Sequence, residues 1–132
     1  MYVDERDWKI IELLNRNARI SNIEIAKNLG ISEGTVRHRI QKMLNDGVIR
    51  NFTVSLGSGA LTAIILVRVR TEDSAKVLLE LRRRFNEIYE LSGSYDFSVR
   101  IIAQKLDQIN RAADTIRSID GVKETDTLIR LV

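Results

Sequence analysis

The chain has 132 residues, 44% of them apolar and 30% charged, which describes a folded globular protein rather than a disordered one. It has no cysteine, so disulfides and thiolate metal sites are excluded, and a net charge of +3 permits nucleic-acid binding without arguing for it. The longest apolar run, Leu61 to Val67, has the length of a strand and not of a membrane span, and with no signal peptide a cytoplasmic protein without a membrane partner is expected.

In chain order, Asp4 with Asp7 three residues later can start a first helix, placing acidic groups at its positive N-terminal end. Trp8, Ile11 and Leu14 supply a core stripe, supplemented by Ile10 and Leu13, with Trp8 expected inside. Ser21-Asn22-Ile23-Glu24 has the form of a capping box, and the helix it opens carries Ile25, Ala26 and Leu29 before stopping at Gly30. After Ile31, the Ser32 hydroxyl can cap another helix, whose buried stripe is Val36, Ile40, Met43 and Leu44 and which Gly47 closes. At 100° per residue the opposite face holds Gly34, Thr35, His38, Gln41 and Lys42, with Arg37 and Arg39 on its flanks. These side chains are small, hydrogen-bonding or cationic, which suits a helix lying in the DNA major groove. The spacing reads as a helix-turn-helix with its recognition helix second, and Ser32, Gly34, Thr35, Arg37, His38, Arg39, Gln41 and Lys42 are its candidate DNA-binding residues. A plain helical hairpin with a solvated basic face is the bland alternative.

Phe52, Val54 and Leu56 alternate with Thr53 and Ser55, predicting a half-buried linking strand, and Gly57-Ser58-Gly59 predicts a turn. No lysine follows that turn at phosphate-loop spacing. Leu61 to Arg70 is a predicted strand, and Thr71 can cap a helix with Val77, Leu78, Leu81 and Phe85 inward and Arg82-Arg83-Arg84 at its negative end. Ile88 to Leu91 and Tyr95 to Ala103 are predicted strands around a turn at Gly93-Ser94. Leu106, Ile109, Ala113 and Ile116 mark a helix, Asp120-Gly121 a turn, and Val122 to Val132 a last strand. The expected class is therefore α+β: a helix-turn-helix (winged-helix-like) domain over residues 1–50, a linking strand and turn over 51–59, and a βαββαβ ferredoxin-like domain over 60–132. Two helices cover one face of such a sheet. Ile64 and Leu66 on the first strand, and either Leu128 or Ile129 with Leu131 on the last, leave apolar groups for the other face. A second subunit is expected to cover it.

This arrangement resembles the Lrp/AsnC family, the leucine-responsive or feast/famine regulators. The matching residues are Asp7 through Leu14, Asn17-Ala18-Arg19, Ile25-Ala26, Leu29-Gly30-Ile31-Ser32, Thr35-Val36, Arg39-Ile40 and Gly47-Val48-Ile49, then Gly93-Ser94-Tyr95-Asp96, Gly121-Val122, Thr125 and Thr127. The resemblance implies a bacterial or archaeal transcription regulator that binds double-stranded DNA. Its C-terminal domains would dimerise sheet to sheet, and dimers would assemble into tetramers or octamers. It also implies an amino-acid effector bound between domains of neighbouring dimers, with Gly93, Tyr95, Asp96, Thr125 and Thr127 as candidate contacts. Asp96 would meet the ammonium group and the backbone around Gly93 the carboxylate, although a turn carboxylate bonded to its own backbone has the same sequence signature. Lys105, where the family tends to have an acidic helix cap, is a departure, as are the short loop around Gly57 and the end of the chain at the last strand.

An enzyme is not expected. Ferredoxin-like domains also host catalysis, but the second half has no histidine, and no pair of carboxylates has a definable role there. His38, the one histidine, cannot form a metal site alone, and no cofactor is implied. A second rival is an amino-acid-sensing oligomeric module whose helical domain binds protein instead of DNA.

Overall fold

Asp4 opens the first helix, α1 (Glu5–Arg16), through a reciprocal capping box: its carboxylate accepts from the Asp7 backbone N–H at 2.9 Å, and the Asp7 carboxylate accepts from the Asp4 N–H at 3.1 Å. The computed structural model describes residues 2–131 and divides the chain between Ser55 and Leu56 into two compact units. In the first unit α1 is followed by α2 (Asn22–Leu29), capped by the Ser21 hydroxyl on the Glu24 N–H, and by α3 (Glu33–Asn45). Gly30 ends α2 at φ +65°, in the left-handed region where a Cβ would be strained. Ile10, Ile25, Ala26, Val36 and Met43 form the buried core of the three helices.

Two expectations fail here. Trp8 is 55% exposed, and the inward stripe of α1 runs instead through Asp7, Ile10 and Leu14. It begins one residue before Trp8 because Asp7 is drawn inside by a cation on α3, described below. Residues 51–57 do not form a strand: they pair with no other segment among the described residues, and Phe52 and Val54 are exposed.

The second unit is a four-stranded antiparallel sheet in the order β2-β3-β1-β4, built from β1 (Leu61–Val69), β2 (Ile88–Glu90), β3 (Phe97–Ala103) and β4 (Val122–Ile129). With α4 (Ser74–Arg84) and α5 (Leu106–Arg117) it has βαββαβ connectivity. Ala63, Ile65, Val67 and Val69 of β1 all face the helices, where they meet Val77 and Leu81 of α4 and Ile109, Ala113 and Ile116 of α5. Thr71 does not cap α4; residues Thr71–Asp73 form a single 3-10 turn, and no side chain caps the helix. Leu106 is half exposed, since α5 meets the sheet only from Ile109 onward. Lys105 has no acceptor to offer at the start of α5; the Gln108 side-chain oxygen takes the Gln104 and Lys105 N–H groups instead, at 2.8 and 3.0 Å.

The open face of the sheet also differs from one expectation. β1 and β4 pair Ala63 with Ile129 and Ile64 with Leu128, so Ile129 lies on the helix-covered face and Leu128 joins Ile64 on the other. β4 ends at Ile129; Leu131 lies beyond it, and Val132 falls outside the described residues. The apolar groups of the open face are Ile64, Leu66, Leu128 and Ile102, whose partner across the strands is Thr62.

The turn between α5 and β4 is fastened to the start of α4. Asp120 accepts from Lys76 at 2.6 Å and from Arg70 at 3.0 Å, and these two cations, Lys76 first, hold its carboxyl below the usual range. Beside it Gly121 has φ +105°, and a Cβ there would lie 2.6 Å from the Asp73 Cβ. Replacing Gly121 by alanine therefore adds backbone strain to a steric clash. It should lower unfolding stability by about 2 kcal/mol or more, read as a lower denaturation midpoint at unchanged secondary structure.

Candidate functional site

The candidate interface on α3 begins at Ser32. Its hydroxyl accepts the Thr35 N–H at 3.1 Å and bonds the Thr35 hydroxyl at 2.8 Å, so the first turn of α3 is ordered from within. Val36 and Met43 are fully buried beneath the helix, with Ile40 packed against the same core. On the outer side Gly34, Arg37, His38, Gln41 and Lys42 are exposed and Thr35 is half buried. Arg37 pairs with Glu33 one turn back, and Gln41 donates to Asn45 at 2.9 Å. Both are exposed contacts within one helix, weak enough to be exchanged for a base edge or phosphate.

Arg39 is engaged differently. Its Nη1 donates to Asp4 at 2.7 Å and to Asp7 at 2.9 Å, the same two carboxylates that cap α1. Asp7 is only 3% exposed. The Arg39 hydrogen bond, followed by the Asp7 N–H, holds the Asp4 carboxyl below its ordinary range, and the two carboxylates raise Arg39 in turn. Helical spacing places Arg39 on the flank of the candidate DNA-binding face, whereas in the structure its guanidinium is bonded to carboxylates of the neighbouring helix. The one sequence signal for this was a carboxylate at a stripe position, Asp7 ahead of Ile10 and Leu14.

Gly93, Tyr95 and Asp96 sit in the hairpin turn between β2 and β3, which the Leu91 N–H closes onto the Asp96 carbonyl at 2.9 Å. The Asp96 N–H donates to the Val67 carbonyl, and the Asp96 carboxylate accepts the Val69 N–H at 2.8 Å. β3 begins at Phe97, opposite Val67, so no β3 backbone carbonyl reaches Val69; the Asp96 side chain stands in for it. Arg68 was not singled out from sequence, yet it organises this turn. It donates to the Ser94 carbonyl at 2.9 Å, lies 5.1 Å from the centre of the Tyr95 ring and pairs with Glu124 at 3.4 Å. Thr125 and Thr127 lie on β4, opposite Val67 and Ile65 on the helix-covered face. β1 runs between them and the turn, a separation of about 10 Å at two strand spacings. A single chain does not bring the five residues together.

Two family models match the sequence: a winged helix-turn-helix DNA-binding model over residues 3–50 and a Lrp/AsnC ligand binding domain model over residues 62–131. The chain belongs to the Lrp/AsnC family. Among its relatives, the HTH-type transcriptional regulator LysM of Sulfurisphaera tokodaii is 37% identical, over 98% of this chain and 95% of its own. Among solved structures, Escherichia coli AsnC is 26% identical with a TM-score of 0.67, covering 100% of this chain and 94% of its own. A transcriptional regulator of Neisseria meningitidis, solved as an L-Met complex, shares the fold with a TM-score of 0.69 at 21% identity, over 99% of this chain and 91% of its own. This Lrp/AsnC protein is thus a DNA-binding transcription regulator with a ligand-binding domain, in a family of regulators and not of enzymes. No helix among the described residues is long and apolar enough to cross a membrane.

The hydrogen bond from Val69 gives the Asp96 carboxylate a structural role of its own. Asp96→Ala strands the Val69 N–H at the end of β1, and should cost about 1–3 kcal/mol of unfolding stability even without any ligand. Asp96→Asn keeps an acceptor and should lose less, a contrast that urea denaturation of the two variants would reveal.

Proposed function

We propose that α3 reads operator DNA through Ser32, Gly34, Thr35, Arg37, His38, Gln41 and Lys42, and that an amino acid bound at a subunit boundary modulates assembly or DNA affinity. The observation that carries the DNA reading is the division of α3 into an apolar side, with Val36 and Met43 fully buried, and an outer side of small, hydrogen-bonding and cationic residues that is mostly exposed. Side chains near the N-terminal half of a recognition helix reach base edges, and cations further along meet phosphates.

The dimer reading rests on the open sheet face. Ile64, Ile102 and Leu128 are each between 42% and 49% exposed there; Ile64 and Leu128 are directly opposite across β1 and β4, and Ile102 of β3 lies opposite Thr62, two residues along β1 on the same face. A unit of this size also has a small core and gains from association. The effector reading rests on the ligand-binding family model and on the chemistry of the turn. A carboxylate has about four acceptor sites, so Asp96 can receive an ammonium group as well as the Val69 N–H, while exposed backbone at Gly93 suits a carboxylate. The regulator from Neisseria meningitidis supplies an amino acid, L-methionine, as a precedent within the fold. Thr125 and Thr127 would contribute from another subunit, since within one chain they lie two strands away.

These readings make three measurable claims. Lys42→Ala should weaken binding to every duplex and reduce the salt slope by about one, whereas changes at Arg37 or His38 should shift sequence preference. Unchanged affinity for random and operator DNA after replacing all three would favour a helical domain that binds protein instead. Leu128→Glu or Ile64→Glu should convert a dimer to monomer in sedimentation experiments; a wild-type monomer at micromolar concentration would overturn the dimer. Calorimetry with the common amino acids should find one that binds and shifts assembly, which it can do only by binding one oligomeric state more tightly. No heat from any of them would remove amino acids as the effector class.

A further inference from the structure

Apolar contacts hold α3 in place but are non-directional. Val36, Ile40 and Met43 would stay buried if the helix turned or slid slightly on its bed. A hydrogen-bonded ion pair is directional, and the Arg39 pair is anchored at both ends. Asp4 and Asp7 are fixed to the α1 backbone by their reciprocal cap, at 2.9 and 3.1 Å, and one guanidinium nitrogen of Arg39 bonds both carboxylates. Arg39 cannot leave for a phosphate without stranding the Asp7 carboxylate, which is almost wholly buried and has no other cation paired with it among the described residues. It also stands beside His38 and within one turn of Thr35, Gln41 and Lys42, so a displacement at Arg39 is passed directly to the outer face.

We infer that Arg39, clamped by Asp4 and Asp7, is a positioning residue that sets the rotation and axial position of α3 against the bases and is not itself a DNA contact. The inference rests on the reading of α3 as the DNA-reading helix and names the device that fixes its specificity. Phosphate contacts tolerate small displacements because long cationic side chains can follow, whereas base-edge hydrogen bonds do not. Loss of the clamp therefore reduces discrimination between sequences more than it reduces affinity for DNA in general.

The test compares full-length wild type with Arg39→Gln, Asp7→Asn and Asp4→Ser. Each binds a duplex enriched from a random pool by the wild type, and a random-sequence duplex, over a series of salt concentrations. Circular dichroism monitors helicity. Arg39→Gln should lower the ratio of the two affinities about tenfold, leaving random-duplex affinity and salt slope near wild type. Asp7→Asn changes charge in the opposite direction and should nonetheless lower the ratio too. Asp4→Ser preserves a helix cap, so it keeps the experiment decisive if Asp7→Asn does not fold, and it should lower the ratio in the same way. Adding Asp4→Ser to Arg39→Gln should cost little further discrimination, because both break one clamp. A phosphate contact by Arg39 would show instead as equal weakening on both duplexes with a slope smaller by about one, and that outcome overturns the inference. Folded variants with wild-type discrimination overturn it as well and leave the reading of α3 intact. A wild type that prefers no duplex overturns both.

Discussion

Two helices can cover one face of a four-stranded sheet, and much of the second unit follows from that limit. The centre of the covered face is apolar: Ile65, Val67, Val99 and Phe97 of the sheet meet Val77, Leu81 and Ile116 of the helices, all essentially fully buried, with Thr125 and Thr127 of β4 at its margin. The other face carries the apolar residues that alternation necessarily places there, Ile64, Leu66, Ile102 and Leu128, among charged neighbours such as Arg100 and Asp126. A strand that is apolar on both sides is wasteful in a monomer. It is economical in a chain whose second layer is another copy of itself.

The α3 helix shows a comparable division among three directions. Its underside is apolar, its outer side is polar and exposed, and its flank toward α1 carries the one arginine tied to buried acid. Arg37 and Arg39 are two positions apart and chemically identical, yet their environments give them different work. Arg37 is paired within its own helix and remains exposed, while the Arg39 side chain is only 23% exposed and bridges two carboxylates. An exposed ion pair contributes little to stability, whereas a shielded one becomes costly to break because of the charge left behind.

The hairpin turn at Gly93 to Asp96 combines structure and candidate chemistry in the same atoms. Asp96 completes the hydrogen bonding of β1 where β3 has already turned away, and Arg68 ties the tip of the turn to β4 through Ser94, Tyr95 and Glu124. Such over-determination is what a binding turn needs, since a ligand gains most from groups already held in place. By sequence alone Asp96 is either a ligand contact or a backbone-bonded carboxylate. In the structure the carboxylate is bonded to backbone 27 residues away, so the two roles are compatible and not exclusive.

The sequence by itself determined what is local. Capping residues at Asp4, Ser21 and Ser32, the left-handed stop at Gly30 and the buried spacing of Val36 and Met43 all follow from interactions within a few residues, and each appears where its pattern puts it. The order of strands and helices, and with it the family, was legible for the same reason. What tertiary structure alone decided were choices between neighbouring positions and partners far apart in the chain. The inward stripe of α1 begins at Asp7 and not Trp8 because its counter-charge comes from Arg39, 32 residues on. Ile129 faces the helices and Leu128 the open side because strand register with Ala63 and Ile64 settles the matter, and a one-residue slip would reverse it. The segment 51–57 alternates like a strand, but alternation provides no partner strand, and none pairs with it among the described residues; the Leu56 carbonyl is met instead by the Arg130 side chain at 2.6 Å. Local patterns state what a segment can form; only the assembled fold supplies the charge, the register and the edge that select among those forms.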